Sequence, residues 1–132
     1  MTAKILGSLA LFFVASVAHA KGLIMTPPVS SPLGTQKFVC QASNNHPTKT
    51  AQITVQVVDF KGEVIQEKSD DIAPLASIWT TALGGGVLNN DLPARCIIKS
   101  TNVGSKRLAG TAVIWEADFH VQLAVPAVAV PQ

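Results

Sequence analysis

Along residues 51–58 the apolar side chains Ile53, Val55 and Val57 alternate with the polar Gln52, Thr54 and Gln56. This is the period of a strand with one buried and one wet face. Asp59-Phe60-Lys61-Gly62 follows at once. Asp opens a turn and Gly accepts a positive φ, so residues 63–67 are expected to return as a hairpin partner. Asp70-Asp71-Ile72-Ala73-Pro74 is the next punctuation, where Pro74 removes a ladder donor and marks a break or an edge. Residues 77–83 read as another strand. Residues 84–93 combine glycines, Asn89, Asn90, Asp91 and a terminating Pro93, and read as a loop. Residues 95–100 are a further strand, Asn102-Val103-Gly104-Ser105 a turn, and residues 107–121 contain a long strand with Gly110 as a bulge or kink. In its second half Val113, Trp115, Ala117, Phe119 and Val121 share one face, assigned to the interior, and Ile114, Glu116, Asp118 and His120 share the other.

Six or seven strands at this spacing, with β-branched residues dominating them, predict an all-β fold. The expected form is a single antiparallel β-sandwich of immunoglobulin-like or fibronectin-like architecture. An outer-membrane barrel needs at least eight strands and two aromatic girdles. The three Phe and two Trp after residue 20 do not supply them.

The first twenty residues stand apart. Lys4 precedes an apolar run over residues 5–17, and Ala18-His19-Ala20 places small residues three and one before a cut at Lys21. The pattern is that of a cleaved secretory signal peptide over residues 1–20; the apolar run is too short to span a bilayer core. Residue 21 is Lys rather than Cys, so the new terminus offers no acceptor for a lipid. The expected organisation is therefore an extended amino-terminal arm over 21–36, the sandwich over 37–123, and an Ala/Val/Pro-rich tail over 124–132. A periplasmic or secreted product follows, without stable membrane insertion after cleavage.

Charge adds little. Ten Lys and Arg against eight Asp and Glu in 132 residues give +2. Cleavage removes one Lys, so no field of either sign marks a nucleic-acid partner. The two cysteines add more. Cys40 and Cys96 sit in apolar strand-like runs 56 positions apart, and in an oxidising compartment they are expected to pair, joining two strands. Free thiols or a half-built metal site are the alternatives.

Phe38-Val39-Cys40 followed by Asn44-Asn45, the Asp59 to Gly62 hairpin, Ile72-Ala73-Pro74 and Ala94-Arg95-Cys96-Ile97-Ile98 together resemble small exported bacterial two-cysteine β-sandwich proteins. The match spans residues 38–100. Such proteins often continue Pro-Gly where this chain has Pro74-Leu75. The resemblance implies a sandwich and an export route, and no activity. Antibody-type domains fit less well, because Trp79 lies 39 residues beyond Cys40 and the chain has no Tyr.

Candidate chemistry is sparse. Glu116, Asp118 and His120, two apart on one strand face, could converge on a divalent cation as weak metal candidates; the plainer reading is a solvated face. Asn89, Asn90 and Asp91 lack the donor spacing of a calcium loop and are expected to serve, with Trp79, as partner-contact residues. Trp115 is expected in the core. No Ser lies in a nucleophile-elbow motif. No catalytic residue and no cofactor is assigned. The leading reading is an exported non-catalytic module of the cell envelope that binds an unidentified protein or envelope component. The alternatives are a self-assembling surface or pilus-like subunit that adds Val121-Gln122-Leu123-Ala124-Val125 or the amino-terminal arm to a neighbour's sheet, and a metal-dependent hydrolase.

The export reading makes the first prediction. The intact mass of the chain recovered from an envelope extract is expected to correspond to a start at Lys21.

Overall fold

In the computed structural model, residues 20–30, 35–83, 93–116 and 121–130 are described. Among these residues ten strands run in chain order: β1 Gly22–Met25, β2 Val29–Ser30, β3 Thr35–Asn44, β4 Ala51–Val58, β5 Val64–Ile72, β6 Ser77–Leu83, β7 Pro93–Ser100, β8 Leu108–Glu116, β9 Val121–Pro126 and β10 Val128–Ala129. They form two antiparallel sheets. The first has the order β10-β1-β7-β4-β5, with β2 beside the start of β7; the second has the order β6-β3-β8-β9. One 3-10 turn, Ser105–Arg107, is the only helical segment among the described residues, and none of their helices is long and apolar enough to cross a membrane. This is the all-β sandwich that the alternation predicts.

The core lies between the sheets. Phe38, Cys40 and Ala42 enter it from β3, Ile53, Val55 and Val57 from β4, Ala94, Cys96 and Ile98 from β7, and Ala112 and Ile114 from β8. The Cys40–Cys96 disulfide crosses the core, with an S–S length of 2.02 Å and a Cα–Cα distance of 5.5 Å. Packed sheets ordinarily stand about 10 Å apart. The two strands therefore approach closely here, with small Ala112 opposite Cys40 in the register of β3 and β8.

That register corrects the face assigned to β8. Directly paired residues of antiparallel strands point to the same side. Cys40 points inward and pairs with Ala112, and Phe38 with Ile114, so Val113 and Trp115 point outward. The heavier side chains had suggested the opposite. Residues 107–121 are also not one strand: β8 ends at Glu116 and β9 returns beside it. Gly110 is no bulge, since β3 and β8 stay in register through Ala42↔Gly110. Its missing side chain makes room for the Ile98 Cδ1 methyl of the facing sheet.

The expected arms are built into the sheets. Residues 22–25 pair with β7, and residues 128–129 pair with β1. The Val121-to-Val125 segment, expected as a donor arm, is paired with β8 of its own sheet. The β5 strand is longer than expected, because Asp70 and Asp71 continue the ladder with Ile53 and Gln52.

At the end of β3 a buried Asn44 joins two crossings between the sheets. Its side-chain NH2 donates to the carbonyls of Lys49 at 2.8 Å and Ile72 at 3.0 Å, and its Oδ1 accepts from the His46 N–H at 2.9 Å. Its backbone N–H donates to Ala76 O and its own carbonyl accepts from Leu75 N–H. The chain then turns through Ala73-Pro74-Leu75-Ala76, closed by Ala76 N–H to Ala73 O at 3.1 Å. Leu75 has φ +66°, the left-handed value of the third residue in a type II turn. Glycine adopts that φ without strain, and Leu75 stores strain in its place.

Three stability predictions follow from these contacts. Asn44→Ala removes donors from two carbonyls and is expected to lower the unfolding free energy by about 2–4 kcal/mol in a denaturant titration. Leu75→Gly is expected to raise it by about 0.5–1 kcal/mol, since the side chain is 73% exposed and relief of the strain outweighs the added freedom of the unfolded chain. Opening the disulfide with a reductant is expected to cost about 4 kcal/mol by the loop-closure argument, read as a lower melting temperature.

Candidate functional site

The outward residues of the second sheet make one continuous surface. β3 contributes Lys37, Val39 and Gln41, β6 contributes Trp79, and β8 contributes Val113 and Trp115; together they line a shallow groove of about 240 Å³. Their places follow from parity. With Phe38, Cys40, Ile78, Thr80, Ala112 and Ile114 turned into the core, their neighbours must face out. Gln41 pairs with Trp79 on one flank of β3, Val39 with Val113 on the other, and Lys37 with Trp115. The two indoles thus stand on opposite flanks of β3, at opposite ends of the groove, with the valines between them.

Trp79 is 58% exposed. Trp115 is half-buried, and the Lys37 ammonium lies 5.8 Å from its ring centroid, within cation–π range. The described side chains lining this groove include an ammonium and an amide but no carboxylate and no nucleophile–base pair. Such a surface offers ring area for contact and two polar groups for orientation.

The depression on the opposite surface of the molecule is larger and chemically plainer. Gln52, Thr54, Ser69, Asp71 and Lys99 border a depression of about 440 Å³ on the outer face of the first sheet. Many of its polar groups bond to one another across strands: Thr54 Oγ1 to Ser69 Oγ at 2.7 Å, Gln56 Nε2 to Glu67 Oε2 at 2.7 Å, and Thr101 Oγ1 to Gln52 Oε1 at 2.6 Å. A ladder whose members satisfy each other stabilises the sheet. The indole-bearing face is the better candidate despite its smaller volume.

The residues singled out from the sequence fare differently. Cys40 and Cys96 are joined, which fits an oxidising, non-cytoplasmic location. Trp79 stands on the exposed face. Asn89, Asn90 and Asp91 lie outside the described residues, as do Asp118 and His120, while Glu116 closes β8. Among the described residues no three His, Cys, Asp or Glu side chains cluster as metal ligands. Sequence reasoning missed Trp115, Val39 and Val113 as surface residues. The signal was available in part: Cys40 is fixed inward by its bond, so Val39 must be outward.

No protein-family model matches the chain, and no curated protein matches it. Among solved structures, the chain is similar to Thermotoga maritima 1070, at 14% identity and a TM-score of 0.54 over 83% of this chain and 95% of that one. This likeness is one of fold alone. FlgD of Xanthomonas campestris, described as essential for flagellar assembly through hook capping, aligns at 13% identity and a TM-score of 0.32 over 89% of this chain and 76% of that one. FlgD from P. aeruginosa aligns at 16% and 0.31 over 86% and 76%. Both scores are too low for a common fold to be concluded.

The two tryptophans give a direct check of the corrected face. With Trp79→Phe and Trp115→Phe as single-indole variants, acrylamide is expected to quench Trp79 emission the more strongly and Trp115 emission measurably. A fully shielded Trp115 would restore the interior assignment.

Proposed function

We propose that this chain is an exported, non-catalytic β-sandwich module of the cell envelope, periplasmic or secreted, that binds a protein or envelope component through the outer face of its second sheet. The observation that carries the reading is Trp79, largely exposed on a face that also presents Val39, Val113 and Trp115. Indoles supply much of the energy of protein contacts because a large rigid surface is buried at little entropic cost. The chain has only two tryptophans. Both are on this face, where neither contributes a fully buried ring to the core. The sandwich and its inter-sheet disulfide serve, in this reading, as a rigid mount for that face, and the signal sequence supplies the route to a compartment where the disulfide persists.

A photo-crosslinking amino acid placed at position 79 in cells tests the reading. It is expected to capture a discrete partner, whereas the same group at Thr54, on the polar face of the first sheet, is expected to capture none. Equal capture at both positions, or none at 79, would remove this face as the contact. Trp79→Ala is expected to abolish capture through a crosslinker at Gln41 while changing stability by less than about 0.5 kcal/mol, as befits an exposed side chain.

A further inference from the structure

The two sheets do not end together. The interior residues Ile53, Val55 and Val57 of β4 pair with Asp70, Lys68 and Gln66 of β5, so those three side chains point to the side that the second sheet covers elsewhere. All three are exposed; on that strand Ile72, beside the turn into β6, is buried and Ile65 is half-buried against the core. The second sheet therefore leaves the middle of β5 uncovered. Its last strand on that side is β6, and β5 projects past it as a ledge whose far end carries Val64 and Phe60, 47% and 46% exposed.

β6 is an open edge beside this ledge. Among the described residues it pairs on one side only, with β3. Its sequence Ser-Ile-Trp-Thr-Thr-Ala-Leu contains no charge, no Pro and no Gly. Natural edges are usually blunted by charges, proline or a bulge. β5 shows the contrast, with Glu67, Lys68, Asp70 and Asp71 along its length. The β3–β6 ladder runs without a register shift from Lys37↔Leu83 to Ser43↔Ser77, so the strand is regular and alternate residues turn their N–H and C=O groups away from β3, to a side where no described strand pairs with them.

We infer that β6 is a strand-addition site, and that its occupant is a single extended segment of a partner protein seated on the ledge. This names the kind of partner for the binding face proposed above and rests on that reading. The ledge and the exposed indole choose the occupant. It lies in the plane of the second sheet, with alternate side chains over β5 and the remainder beside Trp79 on the outer face. The floor sets the chemistry of the first group: the exposed Lys68 selects an acidic side chain on the incoming strand, whereas the Asp70 carboxylate already accepts from Asp71 N–H at 2.8 Å. Trp79 selects an apolar one on the other face. The recognised motif is thus a strand with polar residues, one of them acidic, on one side and apolar residues on the other, held chiefly by main-chain hydrogen bonds.

The test uses the full disulfide-bonded protein and a displayed library of random peptides of about ten residues. Enriched peptides are expected to alternate polar and apolar positions. On binding, one of them is expected to slow amide exchange in residues 77–83 at least tenfold. Methylating its backbone nitrogens on the β6-facing side is expected to abolish binding, and methylating those on the far side to leave it. Lys68→Glu is expected to weaken a peptide with an acidic residue over that position by about two- to fivefold, the size of an exposed charge pair. If no peptide is enriched, or if bound peptides protect amides elsewhere and leave β6 unprotected, strand addition is overturned. Peptides that bind near Trp79 without protecting β6 would leave the binding face standing and remove only the strand. Protection of β6 with no crosslink at position 79 in cells would do the reverse.

Discussion

The Cys40–Cys96 bond fixes the fold's parity. Once Cys40 must point at Cys96, every second residue of β3 is committed to the core and every other one to solvent. The commitment spreads through the ladders. β6 and β8 pair with β3, so Ile78, Thr80, Ala112 and Ile114 turn inward and Trp79, Val113 and Trp115 turn outward. On the other sheet Cys96 does the same for Val57 and, through the continuing register, for Val55 opposite Ile98. A slip of one residue in either ladder would place a charged or indole side chain in the core. The covalent bond thus specifies register as well as closing a loop.

Local signals in the sequence conveyed the elements that depend on neighbours in the chain. The Ile53, Val55, Val57 alternation, the Asp59-to-Gly62 turn and the β6 boundaries were legible because each rests on residues close together. Asp59 itself shows how local the turn is: its Oδ1 accepts from both Lys61 N–H and Glu63 N–H, and Gly62 takes φ +86°. What was not legible depends on partners far away in the chain. Nothing in Val113-Ile114-Trp115 says which face is inside; that is decided by Cys40, more than seventy positions earlier, through pairing. The terminal segments read as arms for the same reason, since β1 and β10 are strands only because they meet one another beside β7. The candidate face is legible in half: Trp79 stands out in the sequence, but the alternation around Trp115 points it to the core and so hides its company.

The candidate surface depends on one corner of the molecule. Where β5 leaves the first sheet, four residues, Ala73 to Ala76, carry the chain into the second, and beyond that corner Gln66, Lys68 and Asp70 stay exposed. The turn is held short by two costly features: Leu75 in the left-handed region and a buried Asn44 whose hydrogen bonds reach both crossings. Strain and buried polarity of this kind persist only where the surrounding structure determines them. Here the hydrogen bonds of Asn44 offset the strain in Leu75. The corner therefore sets where β6 begins, because Asn44 binds the backbone on both sides of it, through Ile72 O, Leu75 N–H and Ala76 O.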